Sequence, residues 1–230
     1  MFSYKAPILL YHHVAKEGNP AMTISPRAFR RQIEQFAEEK RVASLEEWVG
    51  TNGADKQGMR RPVMITFDDG GADVYTEAFP VLQRHHLPAT LFMVTDWVER
   101  RGFLTWNQLR EMAEGGWTIG SHTKSHPYLP NIPPSRWEEE IRGSKETLED
   151  KLQRPVILFS YPVGGYTEEV MACVKTAGYR AACTTNRGSP FSFNPYRLTR
   201  VKMTESCHPL VLWAKTSGYY EQFKRMKASH

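Results

Sequence analysis

Short apolar runs alternate with stretches of helical spacing along nearly the whole chain, and that alternation restricts the folds open to it more than any other feature. Pro7 to Val14 (PILLYHHV), Pro62 to Phe67, Ala89 to Val94, Trp117 to Gly120, Val156 to Tyr161, Tyr179 to Thr184 and Leu198 to Met203 each have the length and apolar character of a buried strand. Ser25-Pro26 reads as an N-cap and first helical position, followed by Phe29, Ile33, Phe36 and Ala37 at helical spacing among Arg, Gln and Glu. Helical patterns also occupy 105–114, 135–151, 167–176 and 208–227. Another runs through Val74, Ala78, Val81 and Leu82, where Pro80 must kink the helix or bound its first turn. A short strand over Arg41 to Ser44, a turn of helix over Leu45 to Val49 and a polar, Gly-containing loop over 50–61 complete the pattern. Strands interleaved with helices predict parallel pairing through right-handed crossovers, as a barrel or a doubly wound sheet. Both architectures put the active site at the carboxyl ends of the strands. A chain of 230 residues can form one α/β domain or two small ones, and the lack of a composition break favours one.

Charge and composition exclude several classes. The net charge of +5 would suit an acidic polymer, but the basic residues are scattered in small knots such as Arg30-Arg31, Arg60-Arg61 and Arg100-Arg101. That is a solvated surface rather than a nucleic-acid tract. No apolar run approaches the roughly 18 residues needed to cross a bilayer. The start of the chain lacks the charged, apolar and small-residue segments of a secretory signal, so the expectation is a cytoplasmic protein as given, or an extracytoplasmic one whose signal has been removed. Cys173, Cys183 and Cys207 are odd in number and have no metal-ligand spacing, which makes them core or bystander residues.

The chemistry lies just past the strands. Thr66-Phe67-Asp68-Asp69-Gly70 ends one apolar run, and Ser121-His122-Thr123-Lys124-Ser125-His126 follows another about fifty residues later. Adjacent residues leaving a strand point in different directions, so one of Asp68 and Asp69 can bind a metal while the other faces its water. His122 and His126, four apart, can reach the same ion. One carboxylate and two imidazoles with open coordination positions suit catalytic zinc, and also Fe(II). Such an ion lowers the pKa of its water and polarises a carbonyl, while the free carboxylate takes a proton. Plainer readings stand beside this one: Asp-Asp-Gly is a common turn, and a His-x-x-x-His pair often lies on a surface or in a core. Asp68, Asp69 and Asp73 could alternatively form a Mg²⁺ cluster for phosphoryl chemistry, although no Gly-rich phosphate loop with Lys accompanies them.

These same segments, with Ala89-Thr90-Leu91-Phe92 and the proline after His126, resemble the first two motifs of the polysaccharide deacetylases, carbohydrate esterase family 4. The resemblance implies a distorted (β/α) barrel, a single catalytic domain over residues 1–230, and metal-dependent removal of N-acetyl groups from N-acetylglucosamine polysaccharides or oligosaccharides. It makes Asp68 the general base and Asp69, His122 and His126 the ligands of a divalent metal, Zn²⁺ first, with Fe²⁺, Co²⁺ or Ni²⁺ as alternatives. The family's third motif, Arg-x-Pro-Tyr/Phe-Gly, corresponds to Ser160-Tyr161-Pro162-Val163-Gly164, which lacks both the arginine and the aromatic. The Val163 N–H can still donate to an oxyanion, because that role needs no side chain. Arg200, from a late strand, is the substitute for the missing arginine. The family's closing Leu-x-His motif is not found near the carboxyl end, but Leu10-Tyr11-His12 matches it at the other end, as in the circularly permuted poly-β-1,6-N-acetylglucosamine deacetylases. His12 is therefore the candidate general acid. Trp106, Tyr161 and Tyr166 are candidates for stacking on a sugar. Alternatives are another acyl target (peptidoglycan, acetylated xylan or a small amide) or a carbohydrate-binding barrel without activity.

Overall fold

The computed structural model describes residues 6–52, 62–185, 194–205 and 209–217. These contain β1 (Ile8–Tyr11), β2 (His13–Val14), β3 (Thr23–Ile24), β4 (Met64–Phe67), β5 (Thr90–Met93), β6 (Thr118–Ser121), β7 (Leu158–Ser160), β8 (Ala181–Thr184) and β9 (Leu198–Lys202). Seven of them, β1 and β4 to β9, pair in parallel in chain order, and β9 pairs back onto β1 to close a barrel. The small β2–β3 pair lies outside it. The expected strands are thus all present, and closure decides for the barrel over the open sheet. The exception is Arg41 to Ser44, where only Val42 bridges to Val63.

The helices begin where the sequence provides caps. The Ser25 hydroxyl accepts the Ala28 N–H ahead of α1 (Pro26–Glu38), and Ser44 caps α2 (Leu45–Gly50) in the same way. Pro80 is accommodated without a simple kink. A π turn over Val74–Ala78, closed by the Phe79 N–H on the Val74 carbonyl, precedes α3 (Phe79–Arg84), so the proline falls in a fresh first turn where its missing N–H matters least. Thr105 and Gln108 form a capping box for α4 (Trp106–Glu114). α5 (Ser144–Leu152) is preceded by another π turn over Glu139–Gly143, which divides the helix expected over 135–151. α6 (Glu168–Thr176) and α7 (Pro209–Thr216) complete the ring; of the loop expected over 50–61, Gly50 ends α2 and residues 53–61 lie outside the described residues, as does the helical pattern beyond 217.

Strand alternation divides the core in two. Leu9, Tyr11, Ile65, Phe67, Leu91, Ile119, Phe159 and Val201 point outward and pack under the helices. Ile8, Met64, Phe92, Leu158, Ala181, Cys183 and Leu198 fill the interior, closed at the amino-terminal end by Leu45 and Val49 of α2. The next inward residue on several strands is polar: Thr66, Ser160 and Arg200 are buried above this apolar layer. The same period of two carries Asp68 and His122 inward just past the strand ends.

Gly120 makes room for the interior layer. A Cβ there would lie 2.6 Å from the Phe92 ring and 2.9 Å from the Leu158 carbonyl. Gly120→Ala should therefore destabilise the protein by about 1–3 kcal/mol through overpacking. Urea unfolding should show a lower midpoint at unchanged slope; an unchanged midpoint would mean that Phe92 has space to move.

Candidate active site

The turn after β4 separates the two aspartates. Asp69 (φ 74°) and Gly70 (φ 82°) are both left-handed, and a Cβ on Gly70 would meet the Met93 sulfur at 2.1 Å. This reversal leaves Asp68 buried inside the barrel and Asp69 at its mouth. The loop after β6 brings two imidazoles to the same place: Asp69 Oδ1 lies 3.6 Å from His122 Nε2 and 3.5 Å from His126 Nε2.

The donor set fits a cation. His122 Nδ1 is 2.7 Å from the Ser160 carbonyl, which can only accept, so Nδ1 carries the hydrogen and Nε2 offers its lone pair toward Asp69. Asp69 Oδ1 is buried and has no hydrogen-bond donor among the described residues. Burial holds the His122 imidazole down at about 4 and also lowers His126, so both are neutral at pH 7. Burial and the neighbouring Asp68 charge push the Asp69 carboxyl up to about 7. A buried, unsatisfied oxygen between two imidazole lone pairs has the composition of an open N₂O metal site.

Asp68 has a different environment. Arg200, from β9, donates Nη1 to its Oδ1 and Nη2 to its Oδ2, both at 2.6 Å. The same guanidinium reaches the Ser160 hydroxyl at 2.9 Å and Thr66 Oγ1 at 3.3 Å, and lies 5.4 Å above the Phe92 ring. Burial alone would raise the Asp68 carboxyl; the guanidinium outweighs it and holds Asp68 well below the usual carboxylate range. His12 lies within the fields of Asp68 and Arg200, has no hydrogen bond among the described residues, and is lowered to about 4 by burial despite the nearby carboxylate. Val163 occupies the left-handed region at φ 57°, with its side chain 68% exposed, and among the described residues nothing accepts its N–H.

Some expected residues lie elsewhere. Tyr161 cannot stack on a sugar: it is fully buried, its hydroxyl donates to the Tyr196 carbonyl at 3.0 Å, and its ring packs on Phe159. Alternation explains this, since Ser160 faces the barrel interior and its neighbour must face the helices. Tyr166 packs half-buried on Tyr161, and Trp106 is half-buried on the outer core at the start of α4. The aromatic on the site is instead Trp97, 5.2 Å from the His126 ring and backed by Phe103 at 5.0 Å. Its place, four residues past β5, was the available signal. Asp73 does not join Asp68 and Asp69 in a Mg²⁺ cluster; it accepts the Val14 N–H at 2.6 Å and pairs with His13 Nδ1 at 3.1 Å.

Such a mouth on such a barrel belongs to the (β/α)-barrel hydrolases. Residues 55–182 match the family described as polysaccharide deacetylase, and the chain belongs to that family and is an enzyme of it. It is 31% identical over 215 residues to the provisionally described polysaccharide deacetylase YxkH of Bacillus subtilis strain 168, covering 87% of this chain and 72% of that one. It is 27% identical over 196 residues to the poly-β-1,6-N-acetyl-D-glucosamine N-deacetylase of Staphylococcus epidermidis, covering 78% and 67% respectively. The solved structure of the Streptococcus pyogenes deacetylase PplD in complex with acetate superposes with a TM-score of 0.86 at 26% identity, covering 92% of this chain and 98% of PplD. The matched residues include Asp68, Asp69, His122 and His126 but not His12 or Arg200.

The Asp68–Arg200 pair generates a pH-dependent expectation. Arg200→Met leaves a buried carboxylate unpaired and should cost about 3–5 kcal/mol at pH 8. In the native protein Asp68 is depressed, so its contribution is complete above the unfolded value and is lost only as pH falls through its folded value. Without Arg200 the buried carboxyl rises instead and binds a proton readily, so the deficit should shrink on going from pH 8 to pH 5. Urea unfolding at the two pH values checks this, and a constant deficit would assign the loss to packing.

Proposed function

We propose that Asp69, His122 and His126 hold a divalent metal ion, Zn²⁺ in the first instance, and that the barrel removes N-acetyl groups from an N-acetylglucosamine polysaccharide or oligosaccharide. The observation that carries this reading is the unsatisfied Asp69 Oδ1 between two neutral imidazoles, with a second, ionised carboxylate beside it. Bound there, the cation supplies Lewis acidity to the acetamide carbonyl and lowers the pKa of a water molecule.

The remaining chemistry falls to the chain. Asp68, locked by Arg200 in one orientation, accepts a proton from the attacking water. The Val163 N–H donates to the carbonyl oxygen as that oxygen gains charge. His12, neutral at rest, takes over the proton that Asp68 removed from the water and delivers it to the amine nitrogen as the C–N bond breaks, and acetate and a free glucosamine unit leave. Trp97 walls the His126 side of the pocket and excludes water there. The whole of residues 1–230 serves as one catalytic domain in this reading. The N-acetylglucosamine polymer is supported by the substrate that the staphylococcal relative's name carries.

Acetate release from β-1,6- and β-1,4-linked N-acetylglucosamine oligomers, with and without chelator, tests the proposal. Chelator-sensitive release is expected; metal-loaded protein that releases nothing from either would redirect the reading to a small amide. Asp68→Asn should retain metal but lose about 10²–10⁴ in turnover, and a variant at the native rate would remove Asp68 as base. His12→Ala should slow an amide far more than an activated ester, whose leaving group needs no proton. Equal losses on both substrates would assign His12 to binding.

A further inference from the structure

The helix beside the His122–His126 loop is irregular at the point where it meets the loop. In the π turn over Glu139–Gly143 an extra residue is inserted, which displaces carbonyls from the regular α-helical ladder. Groups outside that ladder fill the gap: the Glu140 carbonyl accepts the Lys124 N–H at 3.1 Å, and the Ile141 carbonyl accepts the Ser144 and Tyr179 hydroxyls, each at 2.9 Å. The Glu140 carboxylate is 1% exposed, and its donors come from the loop and from the helix itself. It accepts the Ser125 N–H at 2.9 Å, the Ser125 hydroxyl at 2.6 Å and Arg136 Nη2 at 3.0 Å. Ser144, just after the π turn, meets the Ser121 hydroxyl at 2.7 Å. The loop is thereby held at Ser121, immediately before His122, and at Lys124 and Ser125, immediately before His126.

Burying a carboxylate is costly unless its lone pairs are met, and a helix surface does not require one here. We propose that Glu140 is a positioning residue for the metal centre: the π turn delivers its carboxylate to Ser125, which fixes His126 in its left-handed conformation (φ 65°) with Nε2 3.5 Å from Asp69. The inference rests on the reading of Asp69, His122 and His126 as ligands. Glutamine at this position keeps the size but offers one acceptor oxygen in place of two and turns an amide donor toward a donor.

The test uses the full metal-free chain, titrated with Zn²⁺ against a chromophoric chelator and with Co²⁺ for its visible absorption. Glu140→Gln should weaken Zn²⁺ binding on the order of 10- to 100-fold, the range typical for partners of metal ligands, and should change the Co²⁺ spectrum. Ser125→Ala keeps the backbone bond and removes only the hydroxyl, on an exposed residue that leaves the core intact, so it tests the same contact if Glu140→Gln folds poorly. It should weaken binding in the same direction by a smaller factor, and should lower the metal-free melting temperature less than Glu140→Gln does, because the Ser125 N–H and Arg136 still meet the carboxylate. Native protein that binds Zn²⁺ tightly, with both variants at native affinity and native Co²⁺ spectrum, would overturn the role of Glu140 alone. Native protein that binds no Zn²⁺ would overturn the ligand reading, and the positioning role with it.

Discussion

The two-pronged contact between Arg200 and Asp68 organises the mouth of this barrel. It joins the exit of β4 to the last strand across the interior, and it draws in Ser160 from β7 and the Phe92 ring from β5 beneath it. A buried ion pair is a poor source of net stability, because desolvating both charges offsets most of the attraction. Its contribution is orientation. With both its oxygens bonded to the guanidinium, Asp68 is fixed in one orientation, its Oδ2 3.6 Å from His122 Nε2, and in the proposed reading it is left as the base while Asp69 serves as the ligand. Asp69, which Arg200 does not reach with a hydrogen bond, keeps the free oxygen that a cation needs.

Four of the nine left-handed non-glycine residues among those described surround the same mouth. Asp69, Thr123, His126 and Val163 all lie in the left-handed region, where a side chain costs on the order of 1–2 kcal/mol per residue and a β-branched one is an outlier. Each is held by a bond from its surroundings. The Gly70 N–H closes the Asp68–Asp69 turn at 2.9 Å, the His126 N–H bonds Thr123 Oγ1 at 3.0 Å, and the Thr185 hydroxyl bonds the Val163 carbonyl at 3.1 Å. Strain of this kind persists only where the fold over-determines the conformation. The ring of parallel strands contributes to that here, because Asp69, Thr123 and Val163 lie two or three residues past strand ends fixed by two neighbours, and His126 is tied back to Thr123.

Most of the barrel was legible in the sequence because its strands are short, apolar and separated by helices, and their carboxyl ends told where chemistry would gather. Asp68, Asp69, His122 and His126 could be read as a group since each pair is local in sequence. Arg200 could be placed only by noticing an absence at Ser160, since nothing local ties residue 200 to residue 68. Tyr161 was misread because its place next to a loop suggested exposure, while the period of two along β7 sends it into the outer core. The π turns at Val74–Ala78 and Glu139–Gly143 left no periodic trace. A one-residue insertion shifts the apolar stripe by only a fraction of a turn, and the stripe remains readable as a helix.

The position of Arg200 also bears on how a proton would travel in the proposed reaction. Ser160 stands where the family's third motif carries its arginine, so the charge that orients Asp68 comes from β9, next to β1 and His12, instead of from β7. Arg200 and Asp68 both act on His12, the first lowering its proton affinity and the second raising it. The guanidinium holds Asp68 below the usual carboxylate range, while burial outweighs the Asp68 charge and lowers His12 to about 4. In the proposed reaction the proton that Asp68 takes from water is the one His12 must receive before the amine can leave. Locating the guanidinium on β9 thus puts the group that orients the proposed base on the strand beside the one that leads into His12, the proposed acid.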